Sequence, residues 1–221
     1  MNEALQEVLD DPRVWRAGRR DLRWPTLSSG YPQLDAWLPD GGWPAGRLTE
    51  VAVERWGSGE LALFMPLLAR LCGRGENAGE GKGAGPARAA GWIAWIAPPF
   101  LPYAPALAAA GVDPARLLLV RPADDEAALW AAEQALRSGS CRLVLAWAER
   151  ARPACLRRLQ LAAEAGRAPL VLFRPPAALA RPSTAALRLS LSAGEGGAHL
   201  RLLKQHGNAS QALPVASLRA Q

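Results

Sequence analysis

A chain of 221 residues, half of them hydrophobic, has room for one large domain with arms and can build a core without disulfide or metal staples. That composition excludes global disorder. The net charge of +6 is carried almost entirely by arginine, with Lys82 and Lys204 the only lysines; such a balance suits nucleic acid or an acidic partner, and equally suits arginines spread over solvated faces. No apolar run is long enough to span a membrane. The opening "MNEALQEVLDDPRVWRAGRR" is acidic and amphipathic rather than a secretory signal, so the expectation is a cytoplasmic protein without membrane contact. Cys72, Cys141 and Cys155 show no C-x-x-C spacing, and the histidines are only His199 and His206. Free, buried thiols are expected, and no metal site.

In chain order, residues 3–10 read as a short helix with Ala4, Leu5, Val8 and Leu9 on one face. An extended basic arm follows to Trp24. "SSGYPQLDAWL" predicts a helix with Ser28 or Ser29 as N-cap and Leu34, Trp37 and Leu38 as its apolar stripe. "PDGGWPAG" is a turn and "RLTEVAV" a strand. "SGELALFMPLLARLCG" predicts a helix capped by Ser58, with Gly73 past its end; Pro66 within it either kinks the helix or leaves a carbonyl for neighbours to satisfy. Residues 73–90 hold six glycines and no apolar pattern, the signature of a flexible loop.

"GWIAWIA" predicts a strand ending at Pro98-Pro99, "YAPALAAAG" a short helix, and "RLLLVRP" another buried strand. "DDEAALWAAEQALRSG" has every mark of a helix: Asp124 or Asp125 as cap, acids in the first turn, Arg137 and Gly139 at the close. "CRLVLAW" and "PLVLF" are strands on either side of the helix "ACLRRLQLAAEAG"; "AALRLSLSA" and "AHLRLLKQ" pair around the turn "GEGG". Alternating strands and helices imply an α/β three-layer fold, with a mainly parallel central sheet, helices on both faces and an antiparallel edge. The expected organisation is an N-terminal helix and basic arm over 1–25, a core domain over 26–205, and a tail over 206–221.

The stretch "VAVERWGSGELALF", residues 51–64, runs strand, glycine turn, helix. That is the layout of a phosphate-binding P-loop, in which backbone N–H groups and a helix N-terminus face phosphate, a lysine neutralises it and a Ser or Thr holds Mg²⁺. Here Gly57, Ser58 and Gly59 form the turn, but Glu54 stands at the first glycine position, Glu60 at the lysine and Leu61 at the Ser/Thr. A carboxylate about 4 Å from a phosphate costs on the order of 4 kcal/mol at an effective dielectric near 20. Glu60 instead supplies a permanent anion in the first helical turn. The residues read as a capped helix after a glycine turn, with nucleotide binding by an unorthodox route as the other reading. No catalytic residue, cofactor or nucleotide is expected there.

The flanks carry more. Ser29-Gly30, Leu34-Asp35, Gly41-Gly42, Pro44 and Gly46-Arg47, with Glu50 in the strand, resemble the segment leading into the P-loop of RecA. The stretch from Tyr103 to Trp147 is similar to the RecA core up to its Walker B strand, and the resemblance covers roughly residues 26–205. It implies a RecA-like fold. The departures fall on ATP chemistry. The Walker B carboxylate would lie at Ala146 or Trp147, Pro98-Pro99 replaces the catalytic glutamate region, and "RPP" at Arg174–Pro176 replaces the phosphate-sensing glutamine. Arg174–Ser183 is too short and proline-rich for the long DNA-binding loop. The resemblance therefore implies the scaffold without ATPase activity.

"GGWPAGRLTEV", "WIAPPFLPYAPALAAAG", "ALWAAEQALRSG" and "LRRLQLAAEAG" look like the ImuA family. That resemblance implies a non-catalytic adaptor in damage-induced translesion synthesis. Its implied partners are ImuB, a Y-family polymerase homologue, and an error-prone DNA polymerase III alpha-type subunit, with RecA as a further candidate. The alternatives are a SulA-like division inhibitor and a DNA-stimulated RecA-type ATPase. In the arm, Arg13, Arg16, Arg19, Arg20 and Arg23 interleave with Trp15 and Trp24; they are candidates for DNA or partner contact, against the alternative of a solvated arm. The arm is also a candidate for homo-oligomer assembly, against folding back on its own domain. Trp15, Trp24 and Trp43, in arms or turns, are the interface candidates among the tryptophans, and the tail after Gln205 is a candidate ImuB contact.

Overall fold

The computed structural model describes residues 24–72, 91–194, 197–204 and 213–214. A two-stranded antiparallel ribbon opens this part: β1 (Thr26–Leu27) pairs with β2 (Trp43–Pro44), and between them lies the helix α1 (Pro32–Trp37). The main sheet is assembled from β3 (Leu48–Val53), β4 (Trp92–Ile96), β5 (Leu117–Val120), β6 (Cys141–Trp147), β7 (Leu170–Arg174), β8 (Leu187–Gly194), β9 (Gly197–Lys204) and β10 (Leu213–Pro214). Their spatial order is β10-β9-β8-β3-β7-β6-β4-β5. From β8 to β5 every neighbouring pair is parallel, while β9 and β10 add antiparallel strands at the other edge.

The connections of the parallel part are the helices α2 (Met65–Cys72), α3 (Ala104–Ala109), α4 (Asp125–Arg137) and α5 (Pro153–Gly166). Side chains alternate across a strand, and the sheet sorts them into two cores. Val51 and Val53 join Trp95, Leu145, Trp147 and Phe173 beneath α1 and α2. Leu48, Ala94, Ile96, Val144 and Leu172 face α4 and α5. The α/β class, the mainly parallel sheet and the antiparallel edge are thus as the alternating pattern implies, with helices packed on both faces.

Four local expectations are corrected. α1 begins after Tyr31, not at a serine cap; the Ser29 hydroxyl is occupied in a turn, accepting from Tyr31 N and donating to Tyr31 O, both at 3.1 Å. The helix expected from Ser58 starts only at Met65, after a 3-10 turn over Ala62–Phe64 that has no side-chain cap. Pro66 therefore lies in the first turn of α2, where a missing N–H costs no helical hydrogen bond. β5 is not buried: it is the outer strand of the sheet, with Leu118 and Leu119 exposed. Trp43 is no interface residue but core, stacked on Phe64 at 4.5 Å between ring centres.

α4 is capped by Asp124, whose carboxylate accepts from Ala127 N at 2.8 Å. Among the thiols, Cys72 and Cys141 are buried and Cys155 is only half-buried. Burial pushes the Cys72 and Cys141 pKa values up. The helix read over 3–10, the arm as far as Arg23, the loop 73–90 and nearly all of the tail lie outside the described residues. No helix among the described residues is long and apolar enough to cross a membrane.

Candidate functional site

In open parallel sheets ligands bind outside the carboxyl ends of the strands, and there the turn after β3 sits. The chain leaves Val53 through exposed Glu54 and Arg55 and bends at Gly57 and Gly59, whose φ values of +82° and +109° are left-handed conformations that favour glycine. A Cβ at Gly57 would lie 3.0 Å from the Phe100 ring, so the segment after β4 rests directly on the turn. On the other side Tyr31 Oη donates to the carbonyl of Ala62 at 2.8 Å, tying α1 to the 3-10 turn. Partial burial raises the Tyr31 pKa and keeps that donor protonated.

Glu60 is the residue that decides what the turn can do. It is 3% exposed, and its Oε1 accepts from the backbone N–H of Gly57 at 2.8 Å. Its Oε2 is buried without a hydrogen-bond partner. A backbone N–H that a P-loop would turn toward phosphate is here satisfied by the chain's own carboxylate. In this arrangement the Gly57 N–H is already engaged and does not serve as an open donor site. Ser58 is exposed and Leu61 half-buried, so of the six residues Glu54, Gly57, Ser58, Gly59, Glu60 and Leu61 only Glu60 is buried.

The neighbouring strand ends hold aromatic and basic side chains. At the end of β6, Ala146 and Trp147 are both buried. The Trp147 indole stacks on Phe173 at 4.7 Å and meets Trp95 edge-on at 6.3 Å. Aromatic packing thus occupies the end of β6.

Arg174, at the end of β7, points inward and donates to Glu50 Oε1 at 2.9 Å. Arg188 of β8 brings its Nε to 2.8 Å from Glu50 Oε2, without the alignment of a hydrogen bond, and donates from its terminal nitrogens to the carbonyls of Ala178 and Leu179. The buried trio Glu50, Arg174 and Arg188 escaped the reading of the sequence. Its one signal was an acid in the middle of the apolar strand "LTEVAV".

Of the arm residues, Trp24 alone is described, and it is packed on the domain: the Arg47 guanidinium lies 4.3 Å over its ring. Arg47 also pairs with Glu164 of α5 at 2.5 Å. Arg13, Trp15, Arg16, Arg19, Arg20 and Arg23 lie outside the described residues.

Sheet, helices and turn together define a mainly parallel α/β domain whose glycine turn after β3 is bonded to its own acid. The sequence comparisons refine that class, and the chain is ImuA-like. It is 33% identical over 157 residues to Protein ImuA of Caulobacter vibrioides, in each of two strains, an alignment covering 69% of this chain and 59% of the relative. The chain thus spans about three fifths of the length of those curated relatives. It is also 38% identical over 84 residues to the cell division inhibitor SulA of Edwardsiella piscicida, covering 38% of this chain and 50% of that one. Among solved structures, SulA from Pseudomonas aeruginosa aligns with a TM-score of 0.44 and 28% identity over 60% of this chain and 99% of that chain. No protein-family model matches the sequence.

Proposed function

We propose that this chain is a RecA-like adaptor without ATPase activity, acting in bacterial damage-induced translesion synthesis. Its partners in this reading are an ImuB-type polymerase homologue and an error-prone DNA polymerase III alpha-type subunit, with RecA as a further one. The observation that carries the non-catalytic part is the Glu60 carboxylate on the Gly57 amide. The similarity to ImuA supports the pathway. RecA-like architecture is supported by the motif series from Ser29 to Glu50 and by β3 lying at the centre of a parallel sheet.

The deciding experiment pairs an affinity pull-down of the ImuB homologue from the same genome with an ATP-binding titration. Capture of the homologue without saturable ATP binding supports the adaptor. Tight ATP binding with turnover sinks it in favour of a DNA-stimulated ATPase.

The SulA similarity supports a second reading, a division inhibitor. That reading requires binding to the tubulin-like division protein and filamentous cells on overexpression; normal division under strong overexpression removes it. Direct DNA contact through the arginines and tryptophans of the arm remains part of the proposal. It predicts single-strand affinity that falls steeply with salt. Self-association through the same arm predicts a lower light-scattering mass when residues before Leu22 are removed.

A further inference from the structure

We propose that the cleft between the N-terminal halves of α4 and α5 is a docking site for a partner peptide that carries carboxylates beside an apolar or aromatic side chain. The cleft measures about 460 Å³ and is partly open to solvent. Its floor is apolar, with Leu129, Ala151 and Leu159 buried and Cys155 half-buried. On its α4 rim stands Trp130, an indole 59% exposed. A large exposed aromatic beside an apolar floor is the anatomy of an anchor pocket.

The charges around the floor are unequally committed. Asp125 is engaged by the backbone N–H groups of Glu149 and Arg150, at 3.2 and 2.8 Å. Glu133, 4% exposed, is shared between Arg137 at 2.9 Å and Arg158. Glu126 is then the one acid in the cleft with no bond to a described residue. Against it stand Arg150, Arg152 and Arg181, exposed and with no side-chain hydrogen bond or ion pair among the described residues. Arg152 is also the N-cap position of α5, a 14-residue helix with no side-chain cap and no acid in its first turn. The helix dipole and the three guanidiniums therefore act with the same sign.

Charge complementarity selects the occupant. The free cations favour a carboxylate, which arginine can hold in bidentate fashion. A nucleic-acid backbone is disfavoured, because a line of phosphates crossing the cleft would run over Glu126 and over the apolar floor of Leu129 and Leu159. One or two carboxylates flanked by an apolar side chain satisfy both halves, the acid on the α5 side and the apolar group against Trp130 and Leu129. The assignment deepens the adaptor reading by giving a partner a surface, and it rests on that reading only for the biological source of the peptide.

The test is selection of a phage-displayed random dodecapeptide library on the full chain, with counter-selection on the variant Arg152→Glu/Arg181→Glu. Selected peptides are expected to place Asp or Glu next to Leu, Phe or Trp. In fluorescence anisotropy, synthetic copies should bind the double variant and Trp130→Ala at least about tenfold more weakly each, and should bind Glu126→Gln more tightly. Circular dichroism verifies that each variant is folded; if the double variant is not, Trp130→Ala and Glu126→Gln carry the decision. An empty selection, selected peptides without acidic enrichment, or unchanged affinity for the variants overturns the assignment. So does single-stranded oligo-dT that binds the wild type and is lost in Arg152→Glu/Arg181→Glu, since that result gives the arginines to nucleic acid. The ImuB pull-down fails or succeeds independently of these outcomes, so loss of the adaptor reading and loss of the cleft are separable.

Discussion

Glu50 of β3 and Arg174 of β7 stand 124 residues apart in the chain and meet at 2.9 Å inside it, their side chains 2% and 4% exposed. Arg188 of β8 closes on the same carboxylate from the opposite strand. One acid thus joins the three strands at the centre of the sheet and is the counter-charge for two buried guanidiniums. Removing the acid strands both cations, and breaking a buried pair from one side costs about 3–5 kcal/mol. Glu50→Ala is expected to lower the free energy of unfolding by that amount in urea titration. A loss below about 1 kcal/mol would show that the trio is not structurally coupled.

The Glu60 carboxylate is expected to matter for the turn rather than for any nucleotide. Glu60→Ala leaves the Gly57 amide without its acceptor and should cost about 1–2 kcal/mol, whereas Glu60→Gln keeps an oxygen in place and should cost less. In isothermal titration neither the wild type nor Glu60→Gln should give a saturable ATP signal. ATP binding restored by Glu60→Gln alone would identify the acid as a plug over a working site.

At Gly166 two effects of opposite sign compete. Alanine favours a helix by about 1 kcal/mol over glycine, but a Cβ there would stand 2.1 Å from the Leu136 carbonyl oxygen. Backbone cannot yield at that distance without moving one helix, and overpacking costs typically about 1–3 kcal/mol. Gly166→Ala is therefore expected to lower the melting temperature, and a rise would falsify the close approach of α4 and α5.

Alkali should weaken the fold through its thiols. Burial raises the folded-state pKa of Cys72 and Cys141, so the neutral thiols contribute stability that is complete below the unfolded value of about 8.5. Above it the unfolded chain ionises first, and the contribution is lost as pH climbs toward the raised folded values. Stability measured by urea titration should begin to drop as pH rises past about 8.5. A Cys72→Ala/Cys141→Ala variant should show a smaller drop over the same rise in pH.

Much of this architecture was legible because local signals and tertiary demands agree. α4 shows it best: Asp124 caps it, acids fill its first turn, and Ala128, Leu129, Ala132 and Leu136 recur at helical spacing and are buried. Where they disagree, tertiary context wins. Ser58 looks like a helix cap, but the Glu60 side chain claims the Gly57 amide and the helix is delayed to Met65. "LLLV" reads as interior, yet an unbroken apolar run is the same for a central and an outer strand, and Leu118 and Leu119 face solvent. Trp43 lies in a Pro/Gly turn, a place that suggests availability to partners, yet its ring is stacked on Phe64 in the core. The Glu50 trio and the arginine cleft were hidden for a simpler reason. Both are made of residues from distant segments, and periodicity within one segment carries no trace of such meetings.

The approach of Gly166 to the Leu136 carbonyl lies at the C-terminal ends of two helices whose N-terminal halves bound the arginine cleft. Asp125 on the Glu149 and Arg150 amides and the Glu133–Arg158 pair hold the same two helices together at the cleft as well. A peptide entering the cleft would therefore meet walls held at both ends, fixed in spacing as well as in register, and would be selected by the width of its side chains.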